Sequence, residues 1–313
     1  MGRFLGFWLI LELNLILFLG VLYWRAPKAN VAICGIKYLL TQGLASSIIM
    51  LSVLSLVPRN GRFWGTVCVI LRFLIKLGVA PFQDWFMRLS SQLRWRGFTL
   101  LSTAQKLGPL IGLGHFLLPR IAAWVAALRT VSAMAGVWRE PRARKVLAWS
   151  SVFNTRWFVL LTRDLTSLMF LYSAYCFGLA AITLGSPSLQ GVSLNEGQLH
   201  IRSPLTSGFF LFALLNLGGL PPFMGAYFKM IIIYLIAHLY SLTLVVIYLV
   251  GSAWFLYVYL GLGIEGLLQS TAQHSKATFE NVPKIIWTMP ILLFPWISFI
   301  LCLSVFAQEI LIF

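Results

Sequence analysis

Residues 205–237 read LTSGFFLFALLNLGGLPPFMGAYFKMIIIYLIA, and the stretch carries a single charge, Lys229. An apolar run longer than about 20 residues reads as membrane-spanning. A helix is its natural form, because lipid satisfies no backbone hydrogen-bonding group. Yet Gly218-Gly219-Leu220-Pro221-Pro222 sits at its centre. Two consecutive prolines remove two backbone donors and crowd the preceding turn. The stretch therefore reads as a helix broken inside the membrane. Such breaks are tolerated where backbone lines a cavity or abuts protein, and in transporters they mark ion paths.

The rest of the chain repeats the apolar pattern. Of 313 residues, 59% are hydrophobic and 10% charged, where a soluble domain carries about 25% charged residues. Apolar runs span 4–24, 33–57, 63–80, 98–118, 121–137, 146–161, 165–184, 205–237, 241–264 and 285–312. The expected fold is thus all-α and polytopic, a single transmembrane domain over 1–313 with about ten spans. A second interruption falls at Gly78 and Pro81, followed by a short segment, 82–95, that holds Asp84, Arg88 and Arg94. The alternating pattern of an outer-membrane barrel is absent.

The net charge of +16 is not a nucleic-acid signature, because the Lys and Arg residues punctuate the apolar runs rather than line one soluble face. Loops that would share one side hold twelve of them, against five for the N-terminus and the opposite loops. The positive-inside rule then places both termini outside. Cys34, Cys68, Cys176 and Cys302 form no CxxC pair, which argues against zinc, a cluster or a disulfide framework. Gly261-Leu-Gly-Ile-Glu-Gly266 fits a dinucleotide fingerprint in letters only, for it follows a membrane helix and not a strand. No cleavable leader is expected, since the first run carries Glu12 and Asn14 in its middle.

Seven basic residues lie within or beside the spans: Lys37, Arg72, Lys76, Lys106, Arg129, Arg156 and Lys229. Glu12 is the acid near a span's middle. A charge at the bilayer centre costs at least ~2.5–3.5 kcal/mol on insertion scales, so such groups pair, line water or carry ions. Lysine can release and regain a proton in that setting, whereas arginine keeps its own. Glu12, Lys76, Lys106 and Lys229 are accordingly the candidate proton carriers, and Arg129 the better candidate for a structural partner. The plainer reading makes all of them structural ion pairs or interfacial anchors.

Four stretches together carry a resemblance. They are Gly6-Phe-Trp-Leu-Ile-Leu-Glu12-Leu-Asn14 with Lys37-Tyr-Leu-Leu-Thr-Gln-Gly-Leu-Ala-Ser46, then Lys76-Leu-Gly-Val-Ala-Pro-Phe-Gln-Asp-Trp85. Next come Gln105-Lys106-Leu-Gly-Pro109 leading to Arg144-Lys145-Val-Leu-Ala-Trp-Ser-Ser151, and finally Leu217-Gly-Gly-Leu-Pro-Pro-Phe-Met-Gly225 with Lys229. In order and spacing they resemble the chain 2 family of antiporter-like membrane subunits of respiratory complex I, the NADH–ubiquinone oxidoreductase.

The resemblance implies a proton-translocating membrane-arm subunit of the mitochondrial inner membrane, with termini towards the intermembrane space. It implies a central axis of Glu12, Lys76, Lys106 and Lys229, with helix breaks at Gly78, Pro81, Gly218, Gly219, Pro221 and Pro222. NADH, FMN, iron–sulfur clusters and ubiquinone would belong to other subunits, leaving no cofactor in this chain. Its partners would be other membrane-arm subunits and phospholipid, cardiolipin among them. A helix that usually precedes Glu12 is expected to be missing. Arg72, Arg129 and Arg156 are extra charges to which the resemblance assigns no role. The competing readings are a stand-alone cation/proton antiporter and a structural subunit that pumps nothing.

Overall fold

The computed structural model describes residues 2–274, apart from 25–28, 56–61, 81, 139, 141, 163, 185–203, 221–222 and 240–241. Pro81, Pro221, Pro222 and the expected span 285–312 therefore lie outside the described residues. Twelve helices and no strand are present among those described: α1 (Gly2–Tyr23), α2 (Ala29–Ser55), α3 (Arg62–Lys76), α4 (Asp84–Gln92), α5 (Trp95–Ser102), α6 (Ala104–Phe116), α7 (Pro119–Val137), α8 (Ala143–Leu160), α9 (Leu165–Leu184), α10 (Pro204–Gly218), α11 (Met224–Leu239) and α12 (Leu242–His274). Five of them contain apolar stretches long enough to cross a membrane: Gly6–Tyr23, Val31–Met50, Pro119–Val137, Leu165–Thr183 and Thr243–Leu268. The chain is thus a multi-pass, all-helical membrane protein. It divides into two compact units, Met1–Met169 and Phe170–Phe313.

In the first unit α8 is the hub, packing against α4, α6 and α7. It is buried on nearly every side from Val146 to Val159. Its partner α7 presents small residues, with Ala122, Ala123, Ala126, Ala127 and Ala133 all buried. Small side chains let helix backbones approach closely where lipid supplies no hydrophobic drive. Gly114 makes a similar approach: a Cβ there would collide with the Thr162 carbonyl. By contrast α1 turns Leu9, Leu13, Ile16 and Leu17 outward, the face expected towards lipid or a neighbouring subunit.

Both expected breaks are present, but glycine makes them. Gly78 has φ +62° and Gly219 φ +75°. At the first, Val79 N–H reaches the Leu74 carbonyl and Gly78 N–H that of Ile75, both at 3.0 Å. At the second, Leu220 N–H reaches Leu215 at 3.3 Å and Gly219 N–H reaches Asn216 at 3.2 Å. Both are Schellman caps, in which a left-handed residue lets the last carbonyls find donors. α10 has therefore ended at Gly218, before the prolines. The prolines follow the stop, where they are common because they cannot continue a helix.

A third interruption divides the expected span 98–118 into α5 and α6. Thr103 sits at φ −111°, ψ −85°. Nothing in its sequence neighbourhood announces a stop.

Candidate functional site

Lys106 occupies the first turn of α6, directly after the Thr103 interruption. Pro109 lies four residues beyond Gln105 and cannot donate to its carbonyl. Lys106 thus sits between an interrupted helix end and, at Gln105, a carbonyl that Pro109 cannot serve. Its side chain is 2% exposed. The ammonium donates to Ser151 Oγ at 2.6 Å and to the Ser151 carbonyl at 3.2 Å. It also lies 4.4 Å from the centre of the Phe86 ring, whose π-face attracts cations. A buried cation is tolerable only with such partners. Ser151 is available because α8 is buried all round and carries a polar run, Ser150, Ser151, Asn154 and Thr155.

Gln105, the preceding residue, leads away from Lys106 towards α1 and α2. Tyr38 donates its hydroxyl to Gln105 Oε1 at 2.8 Å. Gln105 Nε2 donates to Asn14 Oδ1 at 3.1 Å. Two residues before Asn14 stands Glu12, close enough to Lys76 and Tyr38 to act on both electrostatically. Glu12 Oε1 is buried and has no hydrogen-bond partner among the described residues. Among the described residues no basic side chain comes within ion-pairing distance of it. Glu12 therefore has no ion-pair partner among the described residues.

Lys76 closes α3, two residues before Gly78, and is 5% exposed. The first unit thus holds three of the four candidates: Glu12 lies near Lys76, Lys106 is bonded to Ser151, and Gln105, the residue before Lys106, is bonded to Tyr38 and Asn14. Asn14, Tyr38, Gln105 and Ser151 fall within the quoted motifs, but their individual roles were not legible. Their signal was polarity inside apolar runs, which is ambiguous until partners are known.

Lys229 belongs to the second unit and is half-buried on α11. Its ammonium donates to the Gly218 carbonyl at the end of α10. That carbonyl is among the last in the helix, which lack an intrahelical donor. A Cβ on Gly219 would stand 2.7 Å from Lys229 Cδ. The glycine therefore provides both the turn and the space for the lysine. Asn216 supports the same turn by accepting from Gly225 N–H through Oδ1 at 3.1 Å.

The two other interior arginines behave unlike each other. Arg156 Nη1 donates to Thr130 Oγ1 at 3.0 Å, and its guanidinium lies 3.6 Å from the Phe153 ring centre and 4.2 Å from that of Trp157. Arg129 is 0% exposed, and none of its three side-chain nitrogens has an acceptor among the described residues. Among the described residues no three His, Cys, Asp or Glu side chains group as a metal site would require.

Comparison with known proteins adds three findings. Residues 2–256 match the transmembrane family described as NADH:quinone oxidoreductase/Mrp antiporter. Curated relatives include NADH-ubiquinone oxidoreductase chain 2 of Artemia franciscana, 29% identical over 277 residues, which are 87% of this chain and 86% of the relative. The protein of that name in Anopheles gambiae is 27% identical over 294 residues, 90% of this chain and 85% of that one. Among solved structures, respiratory complex I from Thermus thermophilus with bound aureothin contains a chain that superposes with a TM-score of 0.76 at 21% identity, covering 95% of this chain and 71% of that one. The Mrp complex from Dietzia sp. DQ12-45-1b gives 0.71 at 17% identity and 82% of this chain, which spans about half (55%) of that longer one. At these identities the structures establish a shared fold.

Proposed function

Because the chain belongs to the NADH:quinone oxidoreductase/Mrp antiporter transmembrane family, we propose that it is a membrane-arm subunit of respiratory complex I that translocates protons. It takes part in H+-translocating NADH:ubiquinone reduction without redox chemistry of its own, since NADH, flavin, clusters and quinone are held elsewhere in the complex. Its place is the mitochondrial inner membrane, as in the animal relatives, with both termini on the intermembrane-space side. Its neighbours are other membrane-arm subunits and phospholipid. Residues 1–313 act as one antiporter-like domain built from both units.

The proton carriers in this reading are Glu12, Lys76, Lys106 and Lys229. The observation that supports it best is the placement of Lys106. It is a buried lysine at a helix interruption, hydrogen-bonded to a side chain of another helix and lacking a carboxylate partner among the described residues. A structural salt bridge needs an acid at that point. Hydroxyl and amide groups can instead pass a proton along with admitted water. Tyr38, Gln105 and Asn14 supply such groups next to the helix turn that carries Lys106. The half-charged state of each carrier is then set by its neighbours, and small electrostatic changes suffice to move the proton on.

Glu12 supplies the test. NADH-driven proton uptake is measured in vesicles carrying the assembled complex with Glu12→Gln. Glutamine keeps the shape and removes the titrating group. The expected result is assembly at near the parental level with pumping reduced at least tenfold, the scale of losing one proton-transfer group. Parental pumping by the assembled variant would remove Glu12 from the path.

A further inference from the structure

Helices α5 and α8 both begin on arginine. Arg94 precedes the first and Arg142 the second, each with extended backbone and neither with a side-chain bond to its own helix. An arginine offers no acceptor to the free N–H groups of a first turn. It also sets a cation at the positive end of the helix dipole, where an acid is favoured. Neither first turn holds an acid. Further cations follow instead, Arg96 in α5 and Arg144 and Lys145 in α8.

The fold brings these two unfavourable ends together. Arg144 Nη1 donates to the Leu93 carbonyl at 2.9 Å and to the Ser91 carbonyl at 3.4 Å. Its guanidinium lies 5.0 Å from the ring centre of Trp95, the first residue of α5. The start of α8 is thereby fastened to the start of α5. Arg94 directly follows Leu93, and Arg142 stands two residues before Arg144. Arg94, Arg96 and Arg142 are all exposed. Residues 91–97 hold no acid, and Glu140, the one acid of 138–145, is paired with Lys145 at 3.3 Å. Orienting a membrane chain calls for cations on one side of the bilayer. It does not call for them at two helix N-termini held side by side.

The depth of the cluster selects the anion. α7 holds the apolar stretch Pro119–Val137, and Trp138, directly after it, is exposed. Tryptophan at the end of a span marks the headgroup level. α8 starts a few residues later, so its N-terminus lies at that level. We propose that the joined N-termini of α5 and α8 bind the phosphate of an anionic phospholipid headgroup. Arg94, Arg96 and Arg142 supply charge-assisted hydrogen bonds, and the free first-turn N–H groups add donors. Basic pockets between membrane helices hold such headgroups. The inference rests on the membrane placement and phospholipid contact proposed above, and not on the proton carriers.

The test uses phosphatidylglycerol with a photoreactive group at the head of one acyl chain. The assembly that carries the chain is held in neutral detergent with this probe, and cross-linked peptides are identified by mass spectrometry. Labelling is expected within residues 91–97 and 138–145. Unlabelled phosphatidylglycerol should displace it, while phosphatidylcholine and inorganic phosphate should not. Arg94→Gln combined with Arg142→Gln should lower it roughly thirtyfold, the worth of two arginines at an anionic surface. Arg94→Lys combined with Arg142→Lys keeps both charges and should retain most of it. No labelling of these residues in the parent overturns the proposal, as does unchanged labelling in the glutamine pair. Equal displacement by phosphatidylcholine means a site blind to the headgroup, and equal displacement by inorganic phosphate means a site for a soluble anion; either overturns it. If the glutamine pair does not assemble, the displacement pattern of the parent decides. The two readings fail separately: a chain absent from purified complex I removes the subunit role, whereas a chain present there but unlabelled at these residues removes only the lipid site.

Discussion

Lys106 and Lys229 both stand beside interrupted helices, yet the two regions treat them differently. Lys106 is enclosed and bonded to a serine side chain on a neighbouring helix. Lys229 is half-buried and bonded to the backbone carbonyl of Gly218, at the negative end of the α10 dipole. A carbonyl at a helix end gains from any cation that reaches it. The Lys229 contact therefore has a structural use whether or not a proton ever moves, and the Lys106 contact has none of comparable generality. An interior lysine in a membrane protein thus becomes evidence for proton transfer only when its partner is known.

The sharpest way to break this contrast is to separate capping from titration at Lys229. Lys229→Met removes both, and should lower pumping at least tenfold and also destabilise the complex by about 1 kcal/mol, the worth of a helix-end interaction. Lys229→Arg keeps the cation at the carbonyl and should restore thermal stability while pumping stays low. Full recovery of pumping with arginine would reduce Lys229 to a cap and take it off the proton axis.

A smaller effect is expected at the turn that holds it. Gly219→Ala forces a side chain into the left-handed region, at a cost of roughly 1–2 kcal/mol, and crowds Lys229 Cδ. Its melting transition should fall by a few degrees, with a several-fold loss of pumping. Gly78→Ala meets the same backbone strain, but the nearest atoms to the added Cβ would be Phe86 Cβ at 3.1 Å and Trp85 Cζ2 at 3.3 Å, not a lysine. It should show the stability loss with a smaller loss of pumping. Equal pumping defects in the two variants would mean that backbone strain, and not the lysine contact, is being read.

The smallest effect belongs to Ser151→Ala. Lys106 would keep the Ser151 carbonyl at 3.2 Å and the Phe86 ring. Turnover coupled to pumping should fall about twofold, the low end of what one hydrogen bond contributes, because a second acceptor remains. An unchanged rate would show that the serine hydroxyl takes no part in the transfer.

How much of this was written in the sequence varies with the physics involved. The breaks at Gly78 and Gly219 were legible because glycine and proline act locally on the chain. Their cause was read a few residues late: proline composition suggested the stop, while the left-handed glycine makes it. The interruption at Thr103 was not legible. Thr-Ala-Gln-Lys holds no local breaker, and the turn shows only in the backbone of Thr103. Glu12, Lys76, Lys106 and Lys229 stood out because charge is rare in apolar runs. Tyr38, Asn14 and Ser151 did not, since a lone hydroxyl or amide gains meaning only from a partner up to 91 residues away, as Asn14 does from Gln105. The split of Arg129 from Arg156 was equally hidden. Both are interior arginines in sequence, and only the fold gives one of them Thr130 and two rings.

Proton carriage by Lys106 is tested most directly by a pair of substitutions that differ in one chemical property. Lys106→Met removes the charge, and Lys106→Arg keeps the charge but cannot release a proton under the conditions of the cell. Proton uptake per NADH oxidised is measured for both in assembled membranes. A relay tolerates neither change, so both variants should lose most of the pumping attributable to this subunit. NADH–quinone turnover should slow with it, because a stalled charge works against a membrane potential worth ~2.3 kcal/mol per 100 mV. Parental pumping in Lys106→Arg would contradict the relay and leave Lys106 as a structural cation.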